Sequence, residues 1–157
     1  MTNEEIDNMP AGPELDLLIE TEIYGSIPLT DAEWDLCKAM MEHRDPHLPL
    51  GSTRMIKLPL AEPTYQMKLS FCLIWPRWFS RESLGDQSRQ LVKKMRYDGW
   101  LFDLTDYVTT EDKVIRMAGF TKDILRAEAA ADTDALAIAR AALKAVREWK
   151  KSIENTR

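Results

Sequence analysis

The segment from Trp100 to Ala129 constrains the fold most, because it has the pattern of several short strands between two helical patterns. Trp100, Phe102 and Leu104 recur at every second position, as in a strand with one buried face. Residues 109–112 supply a turn, and residues 114–120 and 124–129 are further strand candidates. Strands joined by short turns pair antiparallel, so the segment predicts an antiparallel sheet.

Helical patterns flank these strands on both sides. A helix that Ser80 or Ser83 can cap runs to about Tyr97, and Gly99 ends it. Thr133 caps a long alanine-rich helix after the strands. The residues predicted to face inward are Leu84, Leu91, Val92 and Met95 on the first helix, and Leu136, Leu143, Val146, Trp149 and Ile153 on the second.

The first half of the chain adds three more helix starts. Residues 2–5 and 30–33 have the capping-box form, with threonine at the cap and glutamate three residues later. Pro13 stands at a first helical position, and Gly25 follows the last apolar residue of that helix. Two strand candidates follow, at residues 54–58 and 65–73. The fold class predicted from the whole chain is α+β.

Composition sets the broad class of protein. A chain of 157 residues has the usual size of one domain, and its apolar runs are far shorter than the roughly 20 residues that span a bilayer. Cys37 and Cys72 lie in apolar stretches without metal-ligand spacing, and no signal-peptide pattern is present. These features predict a soluble single-domain protein with reduced cysteines in a cytoplasm, without a cofactor or a membrane segment.

Charge is distributed unevenly along the chain. The net charge is -5, yet residues 1–45 hold 12 acids against 2 bases, whereas the rest holds 14 acids against 19 bases. One interpretation is an acidic first segment that folds across a basic body, and another is a basic body that meets an anionic partner. A third is a domain with two oppositely charged solvated faces.

Three stretches together resemble the phage ABA sandwich family, small proteins of phage and prophage genomes. They are MPAGPELD at residues 9–16, KMRYDGW at 94–100 and AADTDALAIARAAL at 130–143. The resemblance covers residues 9–25 and 79–147, and residues 26–78 look like an insertion that shorter family members lack. Residues 79–82 (FSRE) depart from the family's Tyr-Ser-Thr-Asp, and Asp134 stands where the family often has proline.

The resemblance implies a fold and an origin. The fold is an antiparallel sheet flanked by helices, an α-β-α sandwich, with a core at 9–25 and 79–150 and an inserted helix and strands at about 26–78. The origin is a phage or prophage, with the protein acting in the cytoplasm of the bacterial host. The resemblance supplies no catalytic or binding residues.

No motif for catalysis is present in the sequence. There is no Gly-x-Ser-x-Gly elbow, no glycine loop before a Lys-Ser/Thr pair, and neither cysteine has a nearby histidine. His43 and His47, near Glu42 and Asp45, are the one group with metal-ligand side chains, but a zinc site needs three or four rigidly held ligands. The sequence therefore predicts neither an enzyme nor a metal site.

Two rows of basic residues are candidate sites. One lies on the helix before Gly99, and the other comprises Arg140, Lys144, Arg147 and Lys151. Each is either a solvated helix face or an anion-binding surface. Residues 76–100 hold six bases against three acids. The candidate binding residues are Arg77, Trp78, Arg81, Arg89, Lys93 and Arg96, with Trp78 suited to stacking.

The function predicted from these features is binding without catalysis. We expect a phage or prophage accessory protein whose partner is an unknown host or phage macromolecule, such as a protein, or an anionic ligand. The alternative is a protein that binds or sequesters a nucleotide-type signal. Basic residues gathered around one concavity would favour the alternative, and an exposed apolar patch on the insertion would favour the macromolecule. The sequence leaves the oligomeric state open.

Overall fold

The structure is a computed structural model that describes residues 1–44, 56–57, 73–74, 77, 79–80 and 87–156. Two compact units make up the chain: Met1–Ile23 with Arg77–Arg157, and Tyr24–Pro76. In chain order the elements are α1 (Asn3–Asn8), α2 (Pro13–Glu22), β1 (Ile27–Pro28), α3 (Asp31–Arg44), β2 (Ile56–Lys57), β3 (Leu73–Ile74), α4 (Gln87–Tyr97), β4 (Leu101–Val108), β5 (Val114–Lys122), β6 (Leu125–Ala131) and α5 (Asp134–Glu154).

The larger unit is built on an antiparallel sheet. Its three strands follow the order β4-β5-β6, and Phe120 of the central strand lies opposite both Phe102 and Ala127. Helix α5 packs against β5 and β6, and α1, α2 and α4 pack against α5. The predicted α+β class, with an antiparallel sheet flanked by helices, is confirmed.

Small side chains line the contact between α5 and the sheet. Ala118, Phe120, Ala127 and Ala129 are buried on the strands. On α5 the fully buried residues are mostly alanines, which let the helix approach the sheet closely: Ala137, Ala139, Ala141, Ala142, Leu143 and Ala145. The prediction that Ile153 faces inward is wrong, because this side chain is 41 % exposed near the end of the helix.

Local sequence signals fix where the helices of this unit begin and end. The capping box at Thr2 and Glu5 is present, and the Thr133 hydroxyl accepts a hydrogen bond from the Leu136 amide at 3.3 Å. Gly99 takes a φ of +89°, and the Trp100 amide donates to the Met95 carbonyl at 3.0 Å, which closes α4. These three predictions are confirmed.

One glycine of the sheet makes room for a contact across three strands. Gly119 lies opposite both Asp103 and Glu128, and a Cβ atom there would come within 2.8 Å of Arg126 Nη2. The Arg126 guanidinium donates to both oxygens of Asp103 at 2.9 Å. Its Nε donates to Glu128 at 2.8 Å. The missing side chain at 119 therefore lets an arginine on one edge strand reach a carboxylate on the other.

The described residues of the smaller unit form one helix and three short strands. Strand β2 lies between β1 and β3, with Ile56 opposite both Pro28 and Ile74. Helix α3 starts at a capping box, in which the Glu33 amide donates to Thr30 Oγ1 at 3.3 Å. The helix and strands predicted at about 26–78 are confirmed. Most of the predicted strands 54–58 and 65–73 lies outside the described residues. That this unit was inserted into a shorter family core stays a prediction.

Candidate functional site

Helix α4 carries the candidate site, and its buried apolar side determines which side of the helix is exposed. Leu91, Val92 and Met95 are buried against the rest of the larger unit, as predicted. Arg89, Lys93 and Arg96 follow at spacings of four and three residues, and all three are exposed. Residues at this spacing share one side of a helix. The structure therefore brings three of the six predicted binding residues together on one exposed helix side.

The electrostatics of this side are simple, because α4 contains no acidic residue between Gln87 and Tyr97. The carboxylate that follows the helix, Asp98, bonds Lys94, with Nζ to Oδ2 at 2.6 Å. Lys94 lies to one side of the exposed row and is only half exposed. The positive charge of the row is therefore not neutralised within its own helix.

Tyr97 adds an aromatic ring that the sequence-based prediction missed. Its side chain is 90 % exposed at the last position of α4, four residues after Lys93. Beside it, the Arg96 guanidinium lies 5.9 Å from the ring centroid of Phe102, within the range of a cation–π contact. The signal in the sequence is the position of Tyr97, four residues after Lys93 and just before Gly99, which places an aromatic ring beside the basic row.

We call the exposed side formed by Arg89, Lys93, Arg96 and Tyr97 the α4 face. Tyr97 and the three bases lie within nine residues, which a helix spans in about 12 Å. The α4 face is convex, as the outer side of a helix is. It can therefore contact an extended or large partner, whereas a small molecule would need groups that converge on it.

Arg77 has a different setting from the other candidate residues. Its Nε and Nη2 donate to the two carboxylate oxygens of Glu20 at 2.7 and 3.0 Å, and its backbone amide donates to Oε1 at 3.1 Å. The Glu20 side chain is fully buried. The guanidinium also lies 5.0 Å from the ring centroid of Phe79. Trp78 and Arg81, the two remaining candidates, lie outside the described residues.

Ser80, like Arg77, bonds helix α2 and the residue just before it. Its amide donates to Asp16 Oδ1 at 2.8 Å, and its hydroxyl accepts from the Gly12 amide at 3.0 Å. That Ser80 or Ser83 caps the next helix stays a prediction, because residues 81–86 lie outside the described residues. Asp16 and Glu20, both fully buried, are four residues apart on α2. Their hydrogen bonds to Arg77 and Ser80 hold the chain where it re-enters the larger unit. A buried carboxylate needs such partners, because burying a charge without one costs free energy.

The second basic row, on α5, is not a solvated face. Arg140 donates from Nη2 to the Met9 carbonyl at 2.6 Å. Lys144 Nζ donates to both oxygens of Asp7 at 2.6 Å and to the Glu128 carbonyl at 2.9 Å. Arg147 binds Glu22, with Nε to Oε2 at 2.8 Å. Both interpretations of this row are wrong for these three residues.

The pKa values on α5 reflect the same contacts. The hydrogen bond to Glu22 raises the pKa of Arg147, whereas burial lowers the pKa of Arg140 from its usual value. Both shifts leave an arginine charged at any physiological pH. Lys151, the last member of the row, is exposed and bonds Glu148 at 2.8 Å. The α5 row is thus engaged by carbonyls and carboxylates of its own chain.

An open apolar groove lies at the end of the larger unit. It has a volume of about 680 Å³ and lies between the β5–β6 turn and the last turns of α5. Ile124, Leu125, Trp149 and Ile153 supply its apolar walls. Lys122 Nζ sits 4.6 Å from the ring centroid of Trp149. No arginine is among the described residues that line the groove, so these residues offer no bidentate contact to a phosphate.

Within the part of the chain that the structure describes, no three metal-ligand side chains come together, and His47 lies outside that part. Among the same residues no helix is long and apolar enough to cross a bilayer. Compared with known protein families, curated proteins and solved structures, the chain shows no match. The resemblance to the phage ABA sandwich family stays a prediction.

Proposed function

We propose that this chain is a phage or prophage accessory protein that binds a macromolecule without catalysis, and that this macromolecule is a nucleic acid held by the α4 face. One observation carries the proposal. Three exposed bases and a 90 % exposed tyrosine share one side of a helix that contains no acid. The phage origin rests on the resemblance to the ABA sandwich family.

The chemistry of the α4 face suits a phosphate backbone with accessible bases. Arginine and lysine neutralise phosphates and release counterions, which gives most of the affinity in sequence-independent binding. An exposed aromatic ring can stack on any unpaired base, and each stacked base is worth about 1–3 kcal/mol. The combination favours a single strand over a duplex, because paired bases do not present their faces to Tyr97.

The alternative function, sequestering a nucleotide-type signal, has less support. That function needs basic side chains that converge on a cavity, but Arg89, Lys93 and Arg96 lie on a convex helix side. Arg77 bonds Glu20, and the described residues that line the apolar groove near Trp149 include no arginine. A binding protein for an extended anionic partner therefore fits the described residues better.

The experiment that tests the proposal compares two variants with the same charge change. Fluorescence anisotropy with a labelled 30-nucleotide single strand would be measured from about 50 to 200 mM salt for the wild type, Arg89→Glu/Arg96→Glu and Lys113→Glu/Lys151→Glu. Lys113 and Lys151 are exposed bases outside α4. Only the α4 variant should lose affinity for the single strand. The slope of log affinity against log salt concentration should fall by about 1.4 in magnitude, because each of the two lost phosphate contacts releases about 0.7 counterions on a single strand.

Tyr97→Ala separates stacking from charge. It should weaken single-strand binding by about tenfold or more, without changing the salt slope or duplex binding. Equal losses in both double variants would mean that only net charge matters. No binding by the wild type at low salt would overturn the nucleic-acid proposal and leave a protein as the expected partner.

A further inference from the structure

Strand β4 forms one edge of the sheet in the larger unit. Within the described residues it pairs with β5 alone, along its full length from Leu101 to Val108. An edge strand presents a row of backbone amides and carbonyls that can pair with another strand. Lysine, proline and bulges commonly block such pairing, and β4 contains no lysine or proline and has an unbroken register with β5. Its edge is therefore suited to accept a further strand.

The exposed side chains of β4 favour a contact. Leu101 is 73 % exposed, Val108 62 % and Tyr107 41 %. The two acids of the strand are neutralised within the same sheet: Asp103 bonds Arg126, and Asp106 bonds Arg116. An incoming strand would consequently meet apolar side chains and compensated carboxylates rather than free negative charge.

We propose that β4 pairs with β4 of a second copy of this chain, antiparallel and around a two-fold axis at Thr105. The axis stands perpendicular to the sheet, so the two sheets join into one of six strands with the same faces on the same sides. Residues whose numbers add to 210 then lie opposite each other. Thr105 faces itself, Phe102 faces Val108, and Asp103 faces Tyr107.

The charges and side-chain pairs of β4 favour a second copy of the chain as the strand that pairs with it. In a same-face pairing an odd-numbered residue always faces an odd-numbered one, so Asp103 cannot face Asp106 of the other copy. Aromatic with β-branched pairs and threonine pairs both stabilise neighbouring strands, and this register provides Phe102 with Val108 and Thr105 with Thr105. Seven paired residues form a small interface, for which we expect a dissociation constant in the micromolar range.

Thr105 allows a test by charge. Sedimentation equilibrium should show a monomer–dimer equilibrium for the wild type. Thr105→Lys and Thr105→Glu should each raise the dissociation constant at least about tenfold, because like charges meet at the axis. Thr105 is exposed, so both variants should fold normally, as circular dichroism and thermal melting would check. Mixing the two variants should restore the dimer, since lysine then faces glutamate.

A disulfide test fixes the register. In a chain with Cys37→Ser and Cys72→Ser, Thr105→Cys should form a cross-linked dimer under mild oxidation, because residues directly opposite lie about 4.5–5.5 Å apart between Cα atoms. Ile124→Cys is the control, since Ile124 is fully exposed but lies outside β4. A wild type that stays monomeric at about 0.5 mM, equal cross-linking of both variants, or no rescue on mixing would each overturn the proposal. The dimer does not depend on nucleic-acid binding.

Discussion

Helices α4 and α5 carry basic rows with nearly the same spacing, yet the two rows lie in different surroundings. On α4, Arg89, Lys93 and Arg96 are exposed. On α5, Arg140 and Lys144 bond Met9 and Asp7, more than 130 residues away along the chain. Spacing therefore places basic residues on one side of a helix, whereas the elements packed on that side decide what these residues contact.

Packing explains the difference between the two rows. Helix α5 lies at the centre of the larger unit, with the sheet on one side and α1, α2 and α4 on others. The acidic first segment therefore meets its bases, and Asp7 and Glu22 bond Lys144 and Arg147. For residues 1–23, these contacts agree with the interpretation of an acidic segment that folds across a basic body. Inward-facing bases should matter for stability and the bases of the α4 face for binding.

The largest effect is expected for Arg77→Met. This substitution leaves the fully buried Glu20 carboxylate without its bidentate partner, which should cost about 3 kcal/mol in the free energy of unfolding. Urea denaturation measures it. Arg89→Met is the matched control and should stay within about 0.5 kcal/mol. If both arginines cost the same, the distinction between inward and exposed bases would fail.

Lys144→Met should have the next largest effect, about 2 kcal/mol. The loss is smaller than for Arg77 because the Asp7 side chain is 44 % exposed and water can replace part of the lost contact. The Glu128 carbonyl loses a donor as well. Lys93→Met on α4 is the control, with an expected change below about 0.5 kcal/mol. A neutral result at Lys144 would show that its contact with Asp7 does not contribute to holding the N-terminal helices.

Thr133→Ala tests the start of the helix that presents the inward row. Loss of the hydroxyl leaves the Leu136 amide without its acceptor, and the expected cost is about 1 kcal/mol. Thermal melting would detect it. Thr110→Ala, in the exposed β4–β5 turn, should leave the melting temperature nearly unchanged. Binding through the α4 face should be the same in both variants.

The smallest effect concerns Glu148, which bonds the exposed end of the α5 row. The hydrogen bond from Lys151 lowers the pKa of Glu148 below its ordinary value of 4.5. A carboxylate whose pKa is lowered in the folded state stabilises the fold at pH values above its ordinary pKa. This stabilisation is lost as the pH falls through the lowered pKa. Glu148→Gln should thus cost at most about 0.5 kcal/mol at pH 7, and the cost should decrease as the pH falls below the ordinary pKa of 4.5. In a Lys151→Met background this pH-dependent difference should shrink.

Much of the fold could be predicted from short-range patterns. The capping residues at Thr2, Thr30 and Thr133 act on amides three residues later, and Gly99 ends α4 through its own backbone angle. The alternation from Trp100 to Leu104 and the short turns between the strand candidates predicted the sheet and its antiparallel class. Each of these features depends on neighbours within about four residues, which the sequence displays directly.

The candidate site was only half predictable for the same reason. Three bases of the α4 face follow from helical spacing, but Arg77 was placed with them because it is near in sequence. Its partner Glu20 lies 57 residues away, and nothing local distinguishes Arg77 from Arg89. The exposure of Tyr97 was equally invisible, since a tyrosine at a helix end can point toward a core or toward water.

The sequence by itself determined the helices, the strands of the large sheet and the row on which each base lies, because these depend on local backbone geometry and side-chain spacing. Only the tertiary structure decided which row is available to a partner. Burying a charge costs free energy unless a partner is held in place, and that partner comes from elsewhere in the chain. Asp7, Glu20 and Glu22 provide it for the inward bases, whereas the three bases of the α4 face lie on an exposed side of their helix.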